Sequence, residues 1–195
     1  MNKVVITIDG PAASGKGSLS KKISEEFNFF YMETGIYYRG FASLFCKNQV
    51  NILDLPNFIF NLNVTDFKEY IIRNNKILYL TKVTKLASNL AKNKEVRAFI
   101  VKIQQDMIIT LEKKFNGIIL EGRDCGSVVA PKADLKFYLT ASLKVRAERR
   151  FNQFIKDKKD ISYEQVLSDL RERDVQDKNR KHSPLQKPKG AVVID

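Results

Sequence analysis

Asp9-Gly10-Pro11-Ala12-Ala13-Ser14-Gly15-Lys16-Gly17-Ser18 is the stretch from which the rest of this chain is best read. A short β-branched run, Val4 to Ile8, precedes it, and a helical pattern begins near Gly17. Strand, glycine-rich turn and helix in that order make the G-x-x-x-x-G-K spacing a phosphate-binding loop rather than an isolated string match. Glycine lets the backbone wrap closely around an anion with several N–H groups pointing inward, and the helix N-terminus adds roughly half a positive charge at the same spot. Lys16 would then reach the β- and γ-phosphates of a nucleotide. The general form of such a loop has Ser or Thr directly after the lysine, where its hydroxyl holds magnesium. Here Gly17 occupies that place and the hydroxyl comes one residue later, at Ser18, so no direct metal ligand is expected from the loop.

The 195 residues, 44% of them hydrophobic, suffice for one well-buried core and not for two large domains. No run of about 18 apolar residues exists, so no membrane partner is expected. The N-terminus enters a strand with no visible secretory signal, which makes the cytoplasm the expected location. Cys46 and Cys125 lie far apart and lack metal-ligand spacing, so neither a disulfide nor a zinc site is expected. A single histidine, His182, leaves histidine triads and multi-histidine metal sites without support.

The formal net charge is +12. Lysines are scattered along the chain as a solvated surface would have them, whereas seven of the ten arginines fall between Arg123 and Arg180. Bidentate arginine suits phosphate. Clustered arginines beside a phosphate loop point to small phosphorylated ligands before nucleic acid.

Beyond the loop, Leu19, Ile23 and Phe27 share one face of a helix over 17–27, and Phe29 to Met32 reads as a second strand. Thr34 can cap a helix reaching about Cys46, with Tyr38, Phe41, Ala42 and Phe45 at helical spacing. Arg39 on that helix is either an ordinary surface residue or, at the end of the second strand, a ligand contact where open α/β sheets bind their ligands. From about 47 to 93 the rhythm changes. Tyr70 to Arg73 and Lys76 to Thr81 flank Asn74-Asn75 like a two-residue hairpin, and with Asn63 to Phe67 they predict a small inserted lobe containing about three strands. Such a lobe either closes over a substrate or decorates the fold.

A helix from about Val83 to Leu90 carries Ser88, and a longer one over 94–114 buries Val96, Phe99, Ile100, Ile103, Met107 and Leu111. Arg97 sits beside that stripe, where a rim arginine lying over the core is the plain reading. A buried strand, Gly117 to Leu120, ends in Glu121-Gly122-Arg123-Asp124. Arginine there suits a phosphate, and aspartate an amino group or a water on magnesium. After a strand at Leu135 to Leu139, Ser142 caps a helix presenting Arg146, Arg149 and Arg150 on one face. Ser162 and Gln165 form a capping box for the next helix, on which Arg173, Asp177 and Arg180 lie along one stripe. The pair of helices reads as an arginine-rich hairpin able to act as a lid. Pro184, Pro188 and Gly190 lead to a last strand, Ala191 to Ile194. Five strands alternating with helices predict a parallel doubly wound α/β sheet.

Laid out in this way, the chain resembles the bacterial cytidylate kinases over nearly its whole length. The matching pieces are Ile8-Asp9-Gly10-Pro11 with the Gly-Lys-Gly-Ser ending, Thr34-Gly35 with Tyr38-Arg39, Ser88, and Val96-Arg97. They continue through Gly122-Arg123-Asp124 with Gly126 and Val128-Val129, then Arg171-Glu172-Arg173-Asp174 onward to Asp177 and Arg180.

The resemblance implies a three-layer P-loop kinase fold of five parallel strands with helices on both faces, a small α+β substrate lobe and a helical lid. It implies one domain over 1–195, with the core about 1–47, 94–145 and 183–195, the inserted lobe about 48–93 and the lid about 146–182. The implied activity is transfer of the γ-phosphoryl group of ATP to CMP or dCMP, with Mg2+ carried by ATP. ATP would lie on Gly10, Pro11, Ala12, Ala13, Ser14, Gly15, Lys16, Gly17 and Ser18 and on one or more of Arg146, Arg149 and Arg150. Positions matching Arg39, Arg123 and Arg180 hold the acceptor phosphate in that family. Those matching Thr34, Arg97 and Asp124 read cytosine, and those matching Ser88, Arg173 and Asp177 contact the sugar, with Tyr38 beside them. Lys16, Arg39, Arg123 and Arg180 are the expected catalytic cations. A monomer acting on small molecules, with no nucleic-acid partner, is expected.

Three features depart from the family pattern: Glu33 stands where Asp is usual, the insert after Leu80 is shorter, and the chain stops at Asp195 where a terminal helix normally follows. Another small kinase, acting on AMP, UMP or shikimate, is the nearest alternative. A GTPase switch would need Asn-Lys-x-Asp, and Asn75-Lys76-Ile77-Leu78 lacks the aspartate. A nucleic-acid binder would need clustered aromatics on a basic sheet, which the sequence does not offer.

Overall fold

Five strands form one all-parallel sheet in the order β2-β3-β1-β4-β5, with β1 Val4–Asp9, β2 Phe30–Glu33, β3 Gly117–Gly122, β4 Leu135–Leu139 and β5 Val192–Ile194. The structure is a computed structural model and describes residues 3–158 and 160–195. Parallel neighbours cannot be joined by tight turns, so every crossover is long and carries helix. The central strands β1 and β3 are near-continuous apolar runs, as burial on both faces requires. Registry pairs Asp9 with Gly122 of β3 and Tyr138 of β4, and Glu33 with Glu121. The C-terminal ends of β1, β2 and β3 therefore finish at one edge, where open α/β sheets bind ligands.

Helix α1, Lys16–Phe27, seats Leu19 and Ile23 against Ile6, Ile8, Ile119 and Leu139. Phe27, expected on that same face, is 60% exposed and meets Phe29 in a tilted pair at 5.7 Å between ring centroids. Two compact units follow from the pattern of contacts. One comprises the chain up to Glu33 with Leu111–Asp195 and holds the whole sheet, and the other is Thr34–Thr110.

In the first unit, α8 (Leu143–Lys156) and α9 (Tyr163–Asn179) pack as a hairpin around Ala147, Val166 and Leu170, and Ala12 of the phosphate loop belongs to the same apolar cluster. Ser142 and Ser162 cap the two helices by accepting from Val145 N and Gln165 N. The Gln165 side chain does not complete a capping box. It donates instead to Asp169 at 3.0 Å.

The second unit corrects the strand reading of the insert: among its described residues there is no strand. It consists of α2 Gly35–Lys47, a 3-10 turn Ile52–Asp54, and helices α3 Leu55–Asn61, α4 Val64–Arg73, α5 Asn75–Leu78, α6 Thr81–Leu90 and α7 Lys94–Leu111, whose last residue falls in the first unit. The lobe is therefore helical rather than α+β. Asn63 caps α4 by accepting from Thr65 N and Asp66 N. Phe67 and Ile71, four residues apart, are buried, and the Glu69–Arg73 pair at the same spacing closes to 2.7 Å. Asn74 turns no hairpin. Its side chain and its backbone N–H both donate to Tyr70 O, at 2.9 and 3.0 Å, ending α4.

The reason for α4 is tertiary. A Cβ on Gly40 of α2 would lie 2.5 Å from Ile71 Cγ1, so the glycine permits α4 to pack directly on the α2 backbone. Phe41, Phe45, Phe58, Phe67 and Phe99 then share one aromatic core.

Candidate active site

The phosphate loop begins where β1 ends. Gly10 has φ 148°, and a Cβ there would lie 1.9 Å from Leu139 O, so no other residue fits. Gly15 (φ 100°) stands at the N-cap of α1 without a side-chain cap, and no acidic residue occupies the first turn. The helix therefore offers its first N–H groups and its positive end to an anion.

Lys16 is 4% exposed and folds back over the loop, donating to Pro11 O at 2.7 Å and Ser14 Oγ at 3.4 Å, with Glu121 Oε1 3.8 Å away. Burial, joined by the positive charge of Arg123, lowers its pKa from 10.5 to about 7, and Glu121 only partly offsets this. Glu121 in turn accepts from the Tyr31 hydroxyl at 2.9 Å. Gly17 faces that pair, with a Cβ placed 3.7 Å from both Glu121 Oε2 and Tyr31 Oη. Among the described residues no group of three His, Cys, Asp or Glu is placed to hold a metal ion. Of the loop's hydroxyls, Ser14 is buried and Ser18 is exposed on α1.

The three arginines of α8, expected on one helical face with one or more of them on ATP, take different partners. Arg146 is buried and donates to Ala141 O (2.9 Å), Ala12 O (3.1 Å) and both oxygens of Asp174 (3.2 and 2.6 Å). Arg149 reaches Ser14 O at 3.2 Å. Arg150 turns to Gln153 at 2.9 Å and lies 4.4 Å over the Phe154 ring. One face of a helix thus splits into a clamp under the loop, a contact at its rim, and a side chain packed along its own helix.

Arg123, Asp124, Arg173, Asp177 and Arg180 converge. Asp177 Oδ2 accepts from Arg123 Nε at 3.0 Å and lies 4.0 Å from Arg173 Nε, while Arg180 Nη1 is 3.9 Å from Asp177 Oδ1. Arg180 Nη2 is also 3.9 Å from Asp124 Oδ1, and its Nε donates to Ser183 O. Burial alone would raise the Asp177 pKa, but Arg123, Arg173 and Arg180 together hold it below 3.8. For Arg123, burial opposes the charge, yet Asp177 and Glu121 outweigh it and the guanidinium pKa rises. The stripe expected on one helix is a partly buried network: Arg173 and Asp177 lie on α9, Arg180 stands in extended conformation just past its end, and Arg123 joins from the end of β3.

The second unit gathers its own set. Thr34 stands at the N-cap of α2 without a side-chain capping bond, and its carbonyl accepts from Gln104 Nε2 at 3.0 Å. Arg97 is 4% exposed, donates to Ala91 O at 3.3 Å and lies 5.5 Å over the Tyr38 ring. It is not a rim residue. Arg39 lies 4.7 Å over the Tyr79 ring, and Ser88 is half-buried on α6.

Sequence reasoning passed over four residues in these sets: Asp9, Glu121, Asp174 and Gln104. Asp9 and Glu121 were visible as charges at the ends of apolar strands. Gln104 was visible as a polar residue within the buried stripe of α7, seven positions beyond Arg97. Asp174 was quoted in the Arg171-Glu172-Arg173-Asp174 match, but its partner was not legible, because nothing in a helix's sequence says which arginine of another helix it will face.

The family model described as cytidylate kinase matches residues 6–195. A cytidylate kinase from Fusobacterium nucleatum is 36% identical over 203 residues, spanning 100% of this chain and 90% of the relative. One from Bartonella bacilliformis is 37% identical over 195 residues (100% and 87%), and one from Caldicellulosiruptor bescii 34% over 206 residues (100% and 89%). With the match running from β1 to the last residue and full-length relatives above 30% identity, the chain belongs to the cytidylate kinase family.

Proposed function

We propose that this chain transfers the γ-phosphoryl group of ATP to CMP and dCMP, giving ADP and the corresponding diphosphate. The observation that carries this reading is the gathering of cations at the end of β3: Arg123, Arg173 and Arg180 lie around Asp177, Arg180 also approaches Asp124, and Lys16 is held at a pKa of about 7 by burial and then by the charge of Arg123. Guanidinium and ammonium groups gathered in this way suit phosphate oxygens.

The donor takes the loop Gly10 to Ser18, with its triphosphate on the N-terminus of α1 and Lys16 drawn from Pro11 O onto the β- and γ-oxygens. Of the α8 arginines, Arg149 is assigned to ATP. Arg146 supports the loop from beneath, and Arg150 is left to its own helix. Magnesium arrives as part of the ATP substrate complex and neutralises phosphate charge. Glu121 and Ser18 fit a role in holding its water shell, since Gly17, the residue directly after Lys16, has no hydroxyl.

Arg39, Arg123 and Arg180 are assigned to the acceptor phosphate, Thr34, Arg97 and Asp124 to cytosine, and Ser88, Arg173 and Asp177 to the sugar, with Tyr38 holding Arg97. Transfer proceeds through a loose transition state with charge spread over the oxygens, so the chain supplies position and positive charge rather than a nucleophile. No general base is required, because the acceptor is an already ionised phosphate. The hairpin over 146–182 is assigned as a lid excluding water, and the helical insert over 48–93 as the acceptor lobe.

A monomer in the cytoplasm, where ATP and CMP are both supplied, completes the reading. Two free cysteines, Cys46 and Cys125, fit a reducing compartment. No helix among the described residues is long and apolar enough to cross a membrane. Initial rates with CMP, dCMP, UMP and AMP at equal concentration test the assignment. CMP and dCMP are expected to lead, and a preference for AMP would overturn it.

A further inference from the structure

Asp9 is the last residue of β1, adjoins Gly10 of the phosphate loop, and is fully buried. Its Oδ1 accepts from Cys125 N at 2.8 Å and its Oδ2 from Gly126 N at 2.8 Å. Those two N–H groups open the π-helical turn Cys125–Val129 that follows Arg123 and Asp124 directly. Asp124 itself has φ −146° and ψ 23°, outside both helix and strand, so the chain must be held through this bend. Gly126 has no room for a Cβ, which would lie 2.7 Å from Thr7 Oγ1 and 3.0 Å from Pro188 Cγ. The turn is thereby pressed onto β1 from one side and gripped by its carboxylate from the other.

We propose that Asp9 is a positioning residue for the acceptor: its carboxylate, taking the N–H groups of Cys125 and Gly126, sets the turn from which Arg123 and Asp124 reach the nucleoside monophosphate. The inference rests on the roles assigned above to Arg123 and Asp124. Only an ionised carboxylate offers two acceptor oxygens at this spacing without a donor, so the grip needs Asp and not its amide. In Asp9→Asn the side-chain NH2 must face one of the two backbone N–H groups, whichever way the amide is turned. The strain falls on the segment carrying Arg123 and Asp124, whereas the contacts of Lys16 with Pro11, Ser14 and Glu121 involve neither amide.

The test measures CMP and ATP affinities separately by calorimetry, and kcat/KM for CMP against UMP, in the wild type, Asp9→Asn and Asp124→Asn. Asp9→Asn is expected to weaken CMP binding about tenfold or more and to narrow the CMP-to-UMP preference, with ATP affinity moving less than about threefold. Equal loss of both nucleotides, or unchanged CMP binding and preference, overturns the proposal. Asp124→Asn separates the two failures. If it leaves the preference intact, the assignment of Asp124 to the base is wrong. If it relaxes the preference while Asp9→Asn does nothing, only the role of Asp9 is wrong.

Should Asp9→Asn lose its cooperative melt, amide hydrogen exchange of the wild type decides. CMP binding is expected to slow exchange at Cys125 and Gly126 by about tenfold where a nonhydrolysable ATP analogue does not, since coupling between a ligand and the segment it orders is reciprocal. Exchange at those amides indifferent to CMP overturns the proposal.

Discussion

The guanidinium of Arg146 holds both carboxylate oxygens of Asp174, at 3.2 and 2.6 Å, and from the same Nη1 reaches the carbonyl of Ala12 in the phosphate loop at 3.1 Å. Both side chains are largely withdrawn from water, at 6% and 14% exposure. One ion pair thus joins α8 and α9 at the point where the hairpin meets the loop. Ala12 also belongs to the apolar cluster of that hairpin, so loop and hairpin are tied by charge and by packing together.

Removing one partner of such a pair strands the other. Asp174→Ala leaves Arg146 without its carboxylate and is expected to cost about 3 kcal/mol of stability, which for a chain of this size lowers the melting temperature by roughly 6–12 °C. ATP affinity should fall with it, because Ala12 loses a well-aimed donor. Thermal melts and ATP titrations of Asp174→Ala check both, and an unchanged melt would show that the pair contributes nothing net.

Lys16 titrates near 7 in the free protein, so phosphate binding must recharge it at alkaline pH. ATP binding at pH 8 is expected to take up a substantial fraction of a proton, falling toward zero near pH 6. Calorimetry in buffers of different ionisation enthalpy measures the uptake directly. In the unliganded chain the unfolded lysine holds its proton up to 10.5 and the folded one only to about 7. The unfolded state therefore binds more protons between those values, and the contribution of Lys16 makes stability rise with pH across that window. Lys16→Met should abolish both effects along with turnover.

Asp177 carries the opposite sign. Its folded pKa lies below the ordinary 3.8, so its contribution is present above that value and is lost as pH falls through the folded pKa. Asp177→Asn is expected to flatten the acid limb of the stability profile below about pH 4. Denaturant melts between pH 2 and 6 follow it. A parallel limb in the variant would remove Asp177 from the acid transition.

Arg123→Met keeps the length of the side chain and deletes the charge. Asp177 retains Arg173 and Arg180, so the fold should survive, whereas turnover should fall by about 10²-fold or more. Steady-state kinetics beside a circular-dichroism melt separate the two, and near-normal turnover in a folded variant would exclude Arg123 from transition-state stabilisation.

Gly10→Ala tests the loop without touching charge. A Cβ 1.9 Å from Leu139 O cannot be accommodated by moving a flexible side chain, since the obstacle is backbone. The expected result is loss of the folded protein at expression temperature, or a melt lowered well beyond that of Asp174→Ala.

The positions of β1, β4, α1, α2, α8 and α9 were legible in the sequence because short-range rules govern them: β-branched runs, a glycine-rich turn, and serine caps at 142 and 162. The parallel sheet followed from strand and helix alternation. The insert was misread because Ile71, Ile72 and Ile77 favour strands locally, whereas Phe67 and Ile71 are captured by the bare backbone at Gly40. Tertiary burial outweighs a β propensity worth about 1 kcal/mol at most.

The site divides in the same way. Residue types and spacing alone gave the phosphate-loop pattern at Gly10 to Ser18 and the clustering of arginines between 123 and 180. Only the fold decided that Arg146 would face Asp174, that Arg97 would be buried against the Tyr38 ring, and that Asp9 would reach across more than a hundred residues to Cys125 and Gly126. Those contacts depend on the register of β1 against β3 and on helices distant in sequence, which no local pattern encodes.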